Sequence, residues 1–463
     1  MEKQKLPGPR NQPHADPDIY QSGLVGLSSR FKATLTNVLA NQSRSFVLAA
    51  LARIRVGQII IKQEISNETY TFGSPEGLTA TLTIKNDNVW WRVALGSSIG
   101  FAESYMLGEV DCSGLETFLE IMIANREQTR DLSSLVSFFL SKVAGLMRPS
   151  NDPSVSLENV KSHYDLSNEV FAAFLSTDMT YSCPIWLPKS KREKDIDDLE
   201  SAQLRKLHEV ISEAKIKQTD HVLEIGTGWG SFAIEAVRAT GCRITSLTLS
   251  AEQKLEAEAR IRTAGLDKNI TVLLQDYRTL SKGDQIFDKV ISIEMLEHVG
   301  KDHLAEYFSI IDKVLKRNGG ILVVQSSTMP ETRYSSYNES NDFIREYIFP
   351  GAHVPTTTKI MEAAQTGSNG SFVPDRLINL GGHYSKCLRE WRKKFIANFD
   401  DHIAPAMVSR NKEMSPFALE QFKRKFIFYF AMCEAGFKTK TLGNSLITLA
   451  REGAVETLEQ IEL

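Results

Sequence analysis

The spacing of apolar positions changes character along the chain. Phe46 to Ile54 repeat at helical period. Short β-rich runs follow at Gln58–Lys62, Thr69–Phe72, Leu78–Ile84 and Val89–Val93, separated by turns containing Asn, Gly and Asp. Leu115–Ile123 returns to helical period. Leu132–Met147 is amphipathic at the same period, with Leu, Val and Phe on one face, until Pro149, Ser150, Asn151, Asp152 and Pro153 break it. Beyond about residue 158 the runs become short and fully apolar: Val222-Leu223, Ile244–Leu249, Ile270–Leu274, Lys289–Ile293 and Ile321–Val324. Helical patterns at Ala233–Ala239, Ser250–Ala264 and Leu304–Leu315 lie between them. Continuous apolar strands alternating with helices predict a parallel sheet covered on both faces.

This pattern divides the chain into a polar, Pro-rich arm over 1–44, a small α+β domain over 45–127, an amphipathic linker over 128–157 and an α/β domain over 158–463. The arm carries Pro7, Pro9, Pro13 and Pro17, and residues 1–60 hold eight basic and three acidic side chains. No internal repeat is visible.

Composition narrows the function. The 463 residues are 42% hydrophobic and 24% charged, with a formal net charge of -3. That balance argues against a protein whose task is to grip nucleic acid by its phosphates. The five cysteines form no CxxC pair and read as thiols of a reducing compartment. No apolar run approaches the roughly 18 residues of a membrane span. The sequence therefore predicts a soluble cytoplasmic protein, peripheral at most on membranes.

The most informative segment is residues 221–232, HVLEIGTGWGSF. An apolar strand runs through Glu224 into Gly226, Gly228 and Gly230, and a helix opens after it. Glycines permit a tight turn and close approach of the backbone to a ligand. The spacing is GxGxG, not the GxGxxG of dinucleotide folds, and no Lys-Ser/Thr follows to make a phosphate loop. Strand, acid, glycine triplet and helix together point to S-adenosylmethionine (SAM). The next strand ends in Thr248-Leu249-Ser250-Ala251-Glu252-Gln253 without an acid at its tip. Thr248 and Gln253 can hydrogen-bond ribose hydroxyls there. The third strand ends in Gln275-Asp276-Tyr277-Arg278. Asp276 could accept from the adenine amino group and Tyr277 could stack on the ring. No His, Cys and carboxylate set has metal-ligand spacing.

Several segments stand in a telling order: Ser162-His163-Tyr164-Asp165-Leu166-Ser167-Asn168, Met179-Thr180-Tyr181-Ser182-Cys183, Thr248 to Gln253, Asp276 to Arg278, Glu294-Met295-Leu296-Glu297-His298-Val299-Gly300, Phe422 to Phe426, and Cys433. This series resembles the cyclopropane-fatty-acid synthase and mycolic-acid cyclopropane synthase family, strongly over roughly 158–450. Ser167 stands where Gly is usual. Over 45–125 the likeness is looser, and Gly100 to Tyr105 with Gly108-Glu109 is similar to the longer members. The resemblance implies a Rossmann-like class I SAM-dependent methyltransferase sheet with helices on both faces, preceded by a smaller α+β domain. It also implies an activity: methyl transfer to the cis double bond of a phospholipid-borne unsaturated acyl chain, giving a cyclopropane.

By the same resemblance, Tyr181, Ser182, Glu224, Gly226, Gly228, Gly230, Thr248, Leu249, Ser250, Gln253, Asp276, Tyr277 and Arg278 hold SAM. An alkene attacked by an electrophilic methyl becomes a cation, which needs dry aromatic or anionic walls and a base to take a proton. Family enzymes use bound bicarbonate, held by a Cys, a Glu, a His and a Tyr. The matching positions are Cys183, Glu297, Gln325 and Tyr384, with Glu297 favoured over its structural neighbour His298. Gln325 departs from the pattern. An amide can donate to an anion but cannot relay a proton as imidazole can. A methyl-branched or unsaturated product therefore stays open, as does a relative that methylates another lipid, a polyketide or an amine. Cys433 is the cysteine traditionally named for the family's active site, although the chemistry gives it no necessary task. Tyr307, Phe308, Tyr347, Phe349 and Trp391 are candidates for an acyl tunnel. The basic runs Arg392–Lys394 and Lys423–Lys425 are candidates for transient contact with a membrane surface. Family analogy implies a homodimer.

Overall fold

The computed structural model describes residues 41–129, 166–188, 190, 197–282, 286–412 and 414–458. Most of the arm, the amphipathic segment Leu132–Met147 and the residues Ser162–Asp165 lie outside them.

Alternating burial in Gln58–Gln63 (β1) and Thr79–Ile84 (β3) turns Ile59, Ile61, Ala80, Leu82 and Ile84 to the interior. With Thr69–Gly73 (β2) and Val110–Ser113 (β4) they form a sheet in the order β2-β1-β3-β4. A helix over 41–51 takes up the last residues assigned to the arm. It shares one core with the sheet and with the helices Asn88–Met106 and Leu115–Ala124.

The strand predicted over Val89–Val93 is instead the opening of the Asn88–Met106 helix. Val89, Trp90 and Ala94 are buried from it at helical spacing, and buried Arg92 pairs with Glu109 at 3.0 Å. Tertiary burial thus overrides the β preference of two valines and two tryptophans.

The second sheet has seven strands in the order β10-β11-β9-β8-β5-β6-β7. These are His221–Ile225 (β5), Arg243–Thr248 (β6), Ile270–Leu274 (β7), Lys289–Ile293 (β8), Ile321–Thr328 (β9), Val373–Asn379 (β10) and Gly443–Ala450 (β11). β5 to β9 pair parallel, whereas β10 and β11 pair antiparallel. All five predicted apolar runs fall in β5 to β9. The last two strands were not predicted: β10 is almost wholly exposed and carries no apolar run.

The two sheets meet across the Pro416–Lys438 helix, where Phe428 packs on Phe101 and Tyr105. The basic runs expected at a membrane are spent here. Arg392 bridges Glu116 and Glu434, both at 2.8 Å. Arg424 donates to the carbonyls of Tyr105 and Val110 and pairs with Asp111. Lys425 is buried, and burial pushes its ammonium down to about 8. Lys393, Lys394 and Lys423 pair with Glu390, Glu200 and Asp400. Neither run forms a free cationic face. Among the described residues, no helix is long and apolar enough to cross a membrane.

Candidate active site

From β5 the chain builds β6 and β7 on one side, and then β8 and β9 on the other. Such a switch point leaves a crevice at the carboxyl ends of the strands, where open α/β sheets bind ligands. The glycine loop sits there. Gly226, Gly228 and Gly230 have φ of 100°, 53° and 84°. A Cβ on Gly226 would lie 2.7 Å from Met295 Cγ, whereas one on Gly228 would meet nothing within 4 Å. The loop therefore offers bare backbone to open space.

That space is a cavity of about 1430 Å³, bounded by the loop, Tyr181, Ser182 and Gln253 and reaching Leu51, Leu82, Phe118 and Met122 of the N-terminal sheet region. It exceeds the roughly 300–1,000 Å³ of an ordinary small-ligand pocket.

Three carboxylates line it: Glu224 and Glu297, which are buried, and Glu294, which is half-buried. Burial pushes Glu224 up to about 8, although Ser246 Oγ donates to it. Glu294 is raised by burial and by the neighbouring Glu297 charge, and Glu297 by burial. Lys206 is fully buried beside them and donates to Ser182 Oγ at 2.8 Å. The Ser182 hydroxyl is therefore engaged by protein.

Glu294 is the hub. Its Oε1 accepts from Cys183 N–H at 2.9 Å, Gln325 Nε2 at 3.1 Å and Asn444 Nδ2 at 2.8 Å. Its Oε2 accepts from the Tyr384 hydroxyl at 2.9 Å. The structure thus brings together Cys183, Gln325 and Tyr384, but around Glu294 rather than Glu297. Glu297 Oε1 accepts from Ser327 N–H at 2.6 Å, and its Oε2 has no partner. Cys183 takes part through its backbone. Its thiol points to the carbonyls of Pro184 and Leu380, both at 3.5 Å, and burial raises it. The Cys433 thiol lines the cavity from the Pro416–Lys438 helix, and burial pushes it up to about 12. It is a neutral wall group at pH 7.

The remaining predicted residues separate into two groups. Thr248 Oγ1 donates to Gln253 Oε1 at 2.9 Å, and Ser250 caps the following helix through Gln253 N–H. Gln253 lines the cavity; Leu249, four residues earlier, is 69% exposed. Asp276 is bound by Arg278, whose Nε lies 3.0 Å from both its oxygens, and Tyr277 packs edge-on against Tyr307. These three stand at the tip of β7, where Gln275 N–H donates to the Thr248 carbonyl, and outside the cavity wall. The carboxylate assigned to adenine is thus committed to Arg278. Of the tunnel candidates, Phe349 lines the cavity, whereas Tyr307, Phe308, Tyr347 and Trp391 are core.

Sequence reasoning missed Glu294, Lys206 and Asn444. Lys206 carried a signal, since it falls on the buried stripe of Leu199, Gln203, Val210 and Glu213. Among the described residues no cluster of His, Cys, Asp or Glu could hold a metal.

The seven-stranded sheet with a glycine cradle at its switch point defines a class I SAM-dependent methyltransferase. The chain belongs to the family described as mycolic acid cyclopropane synthetase, which matches residues 151–445. It is 34% identical over 368 residues to tuberculostearic acid methyltransferase UfaA1 of Mycobacterium tuberculosis, covering 78% of this chain and 81% of that protein. It is 32% identical over 370 residues to the cyclopropane-fatty-acyl-phospholipid synthase of Escherichia coli, covering 78% and 86%. Among solved structures, the cyclopropane synthase MmaA2 of M. tuberculosis superposes with TM-score 0.52 at 24% identity, over 64% of this chain and 98% of that one. A coclaurine N-methyltransferase superposes with TM-score 0.56 at 16% identity, over 76% and 99%. These two likenesses concern the fold.

The cradle and the anionic wall fit SAM, whose sulfonium and ammonium are cationic. An opposite charge favours ionised carboxylates, so the raised proton affinities of Glu224, Glu294 and Glu297 must fall when SAM enters. SAM uptake at pH 7 is therefore expected to release protons. Calorimetry in buffers of different ionisation enthalpy measures this, and a buffer-independent heat would contradict it.

Proposed function

We propose that this chain transfers the methyl group of SAM to the cis double bond of an unsaturated fatty acyl chain carried by a phospholipid, and that the product is a cyclopropane. The observation that carries this reading is the cavity, which passes from the glycine loop to the apolar interior behind β1 and β3. Its shape suits a long chain laid across a nucleoside cosubstrate. Relatives named for fatty-acyl phospholipid and tuberculostearic acid support an acyl acceptor. An acceptor of this kind is taken up by transient contact with a membrane surface.

Bound SAM would supply an electrophilic methyl group. The protein's own residues do the rest. Gly226, Gly228, Tyr181, Glu224 and Gln253 surround the cosubstrate's place at the strand ends. Tyr181, Trp229, Tyr384, Tyr429 and Phe437 put ring faces and edges on the wall beside the carboxylates, where a carbocation needs π and anionic partners. Their packing also excludes water, which would otherwise quench the cation as an alcohol.

A second reading, a methyl-branched product without a ring, is supported by the 34% identical tuberculostearic acid methyltransferase and by the amide at Gln325. One experiment tests both. Isotope-labelled SAM and phospholipid vesicles bearing cis-unsaturated chains are incubated with the protein, and the acyl chains are analysed by mass spectrometry. The expected result is a gain of one CH₂ with loss of the olefin. A retained or migrated double bond selects the second reading, and unchanged chains overturn both.

A further inference from the structure

Three of the four residues that the family resemblance assigns to a bound bicarbonate, Cys183, Gln325 and Tyr384, already have an acceptor, and Asn444 joins them. Cys183 N–H, Gln325 Nε2, Asn444 Nδ2 and the Tyr384 hydroxyl all donate to Glu294, at 2.8–3.1 Å. A second anion would find these donors occupied and would face the carboxylate's own charge, so bicarbonate does not fit here. We propose that the Glu294 carboxylate is itself the base that takes the proton from the methylated acyl chain, making this enzyme independent of bicarbonate. This deepens the acyl-methylation reading above and rests on it.

Independent observations agree. Glu294 lines the cavity beside the glycine loop, so its carboxylate reaches the space where the acceptor would lie. Its backbone is left-handed, with φ of 52°. A side chain with a Cβ is held in that region only where the surroundings enforce it, and such positions gather at functional sites. Donors come from the Cys183 loop, from β9, from β11 and from the Gly381–Ala397 helix, so four separate parts of the chain fix one carboxylate. Glu297, three residues on, is held by the neighbouring Ser326 and Ser327 of one strand, with Ser327 N–H donating to its Oε1 at 2.6 Å. Burial and the Glu297 charge raise the proton affinity of Glu294 above that of an ordinary carboxylate, which suits a general base.

The step balances without a further reagent. The alkene π pair forms the bond to the incoming methyl, while the sulfonium C–S bond breaks and its pair stays on sulfur. The neighbouring acyl carbon is left cationic. Glu294 takes one proton from the new methyl, and the freed C–H pair closes the ring onto that carbon. The neutral acid returns its proton to solvent once the product has left.

The test compares the wild-type protein, Glu294→Gln and Glu294→Gly on unsaturated phospholipid vesicles, in CO₂-free buffer with and without added sodium bicarbonate. Wild-type turnover is expected to change less than about twofold with bicarbonate. Both variants are expected still to bind SAM, more weakly because one carboxylate of the anionic wall is gone, yet at saturating SAM to lose about 10²–10⁴-fold in turnover, the contribution of a positioned general base. Glycine suits the left-handed backbone, so Glu294→Gly carries the test if Glu294→Gln fails to fold. In Glu294→Gly, added formate or bicarbonate is expected to enter the vacated cradle and restore part of the rate. A wild-type enzyme that stops without bicarbonate, or a folded variant within about fivefold of wild type, overturns the proposal while leaving the acyl-methylation reading standing. Wild-type protein that methylates no acyl chain overturns both.

Discussion

Gly228→Val is expected to leave the protein folded and to remove SAM binding. The native φ at this position is 53°, in the left-handed region, where a β-branched side chain carries a strain of about 1–3 kcal/mol. That strain alone lowers stability without unfolding a chain with two large core clusters. The affinity loss has another source. A Cβ built on Gly228 meets no protein atom within 4 Å, because it points into the cavity. Two methyls there occupy the space in which the backbone would meet the cosubstrate. The expected loss is at least about 100-fold, equivalent to about 2.7 kcal/mol. Isothermal calorimetry measures it, with circular dichroism as the control for folding. Undiminished SAM affinity in a folded variant would mean that the cosubstrate lies elsewhere.

Tyr384→Phe is expected to leave SAM affinity within about threefold of wild type and to lower turnover by about 10–100-fold, with the acid limb of the pH profile moved upward. Tyr384 is a positioning residue: its hydroxyl donates to Glu294 Oε2 at 2.9 Å, while its ring is wedged against Trp391 and Phe437. The sign of the pH effect follows from the groups around Glu294. Burial and Glu297 raise its proton affinity, whereas Cys183 N–H, the Tyr384 hydroxyl and the buried Lys206 lower it. Tyr181, Tyr429, Cys183 and Cys387 also face it, and burial keeps all four in their neutral forms. Removing the Tyr384 donor withdraws a bond made only to the charged form's advantage. The carboxylate then protonates at higher pH, and activity is lost sooner as pH falls. A phenylalanine variant with unchanged turnover and an unmoved acid limb would show that this bond positions nothing.

Much of the fold was open to reading from the chain alone. Strands β5, β6, β8 and β9 are buried on both faces over most of their length, which makes their runs predominantly apolar, and β7 keeps an apolar run although it lies half exposed at the sheet edge. Of the antiparallel pair, β10 was not legible for the opposite reason, which does not extend to β11, buried from Asn444 to Ala450. β10 lies at the sheet edge with nearly every residue exposed, so selection for burial leaves no periodic trace in it. Val89–Val93 misled because local β preference there is outweighed by the helix's packing in the core. The partners of the basic runs were not legible because a lysine or arginine shows its charge in sequence but not its partner. Arg392 meets Glu116 across 276 positions, and Arg424 meets the Tyr105 carbonyl across 319.

The site divides along the same line. Sequence alone placed the glycine loop, because a glycine triplet between an apolar strand and a helix is a local feature with a local cause. It also determined the family, whose motifs are ordered along the chain. Only the tertiary structure showed which of Glu294 and Glu297 gathers the Cys183, Gln325, Tyr384 and Asn444 donors. The two lie three residues apart in one motif, and nothing in their spacing says which carboxylate meets the Cys183, Gln325 and Tyr384 groups. A left-handed backbone at Glu294 sets the direction of its side chain, and donors 31, 90, 111 and 150 positions away converge on it. Side-chain direction and long-range convergence are properties of the packed chain, so the residue at the centre of the site became visible only in three dimensions.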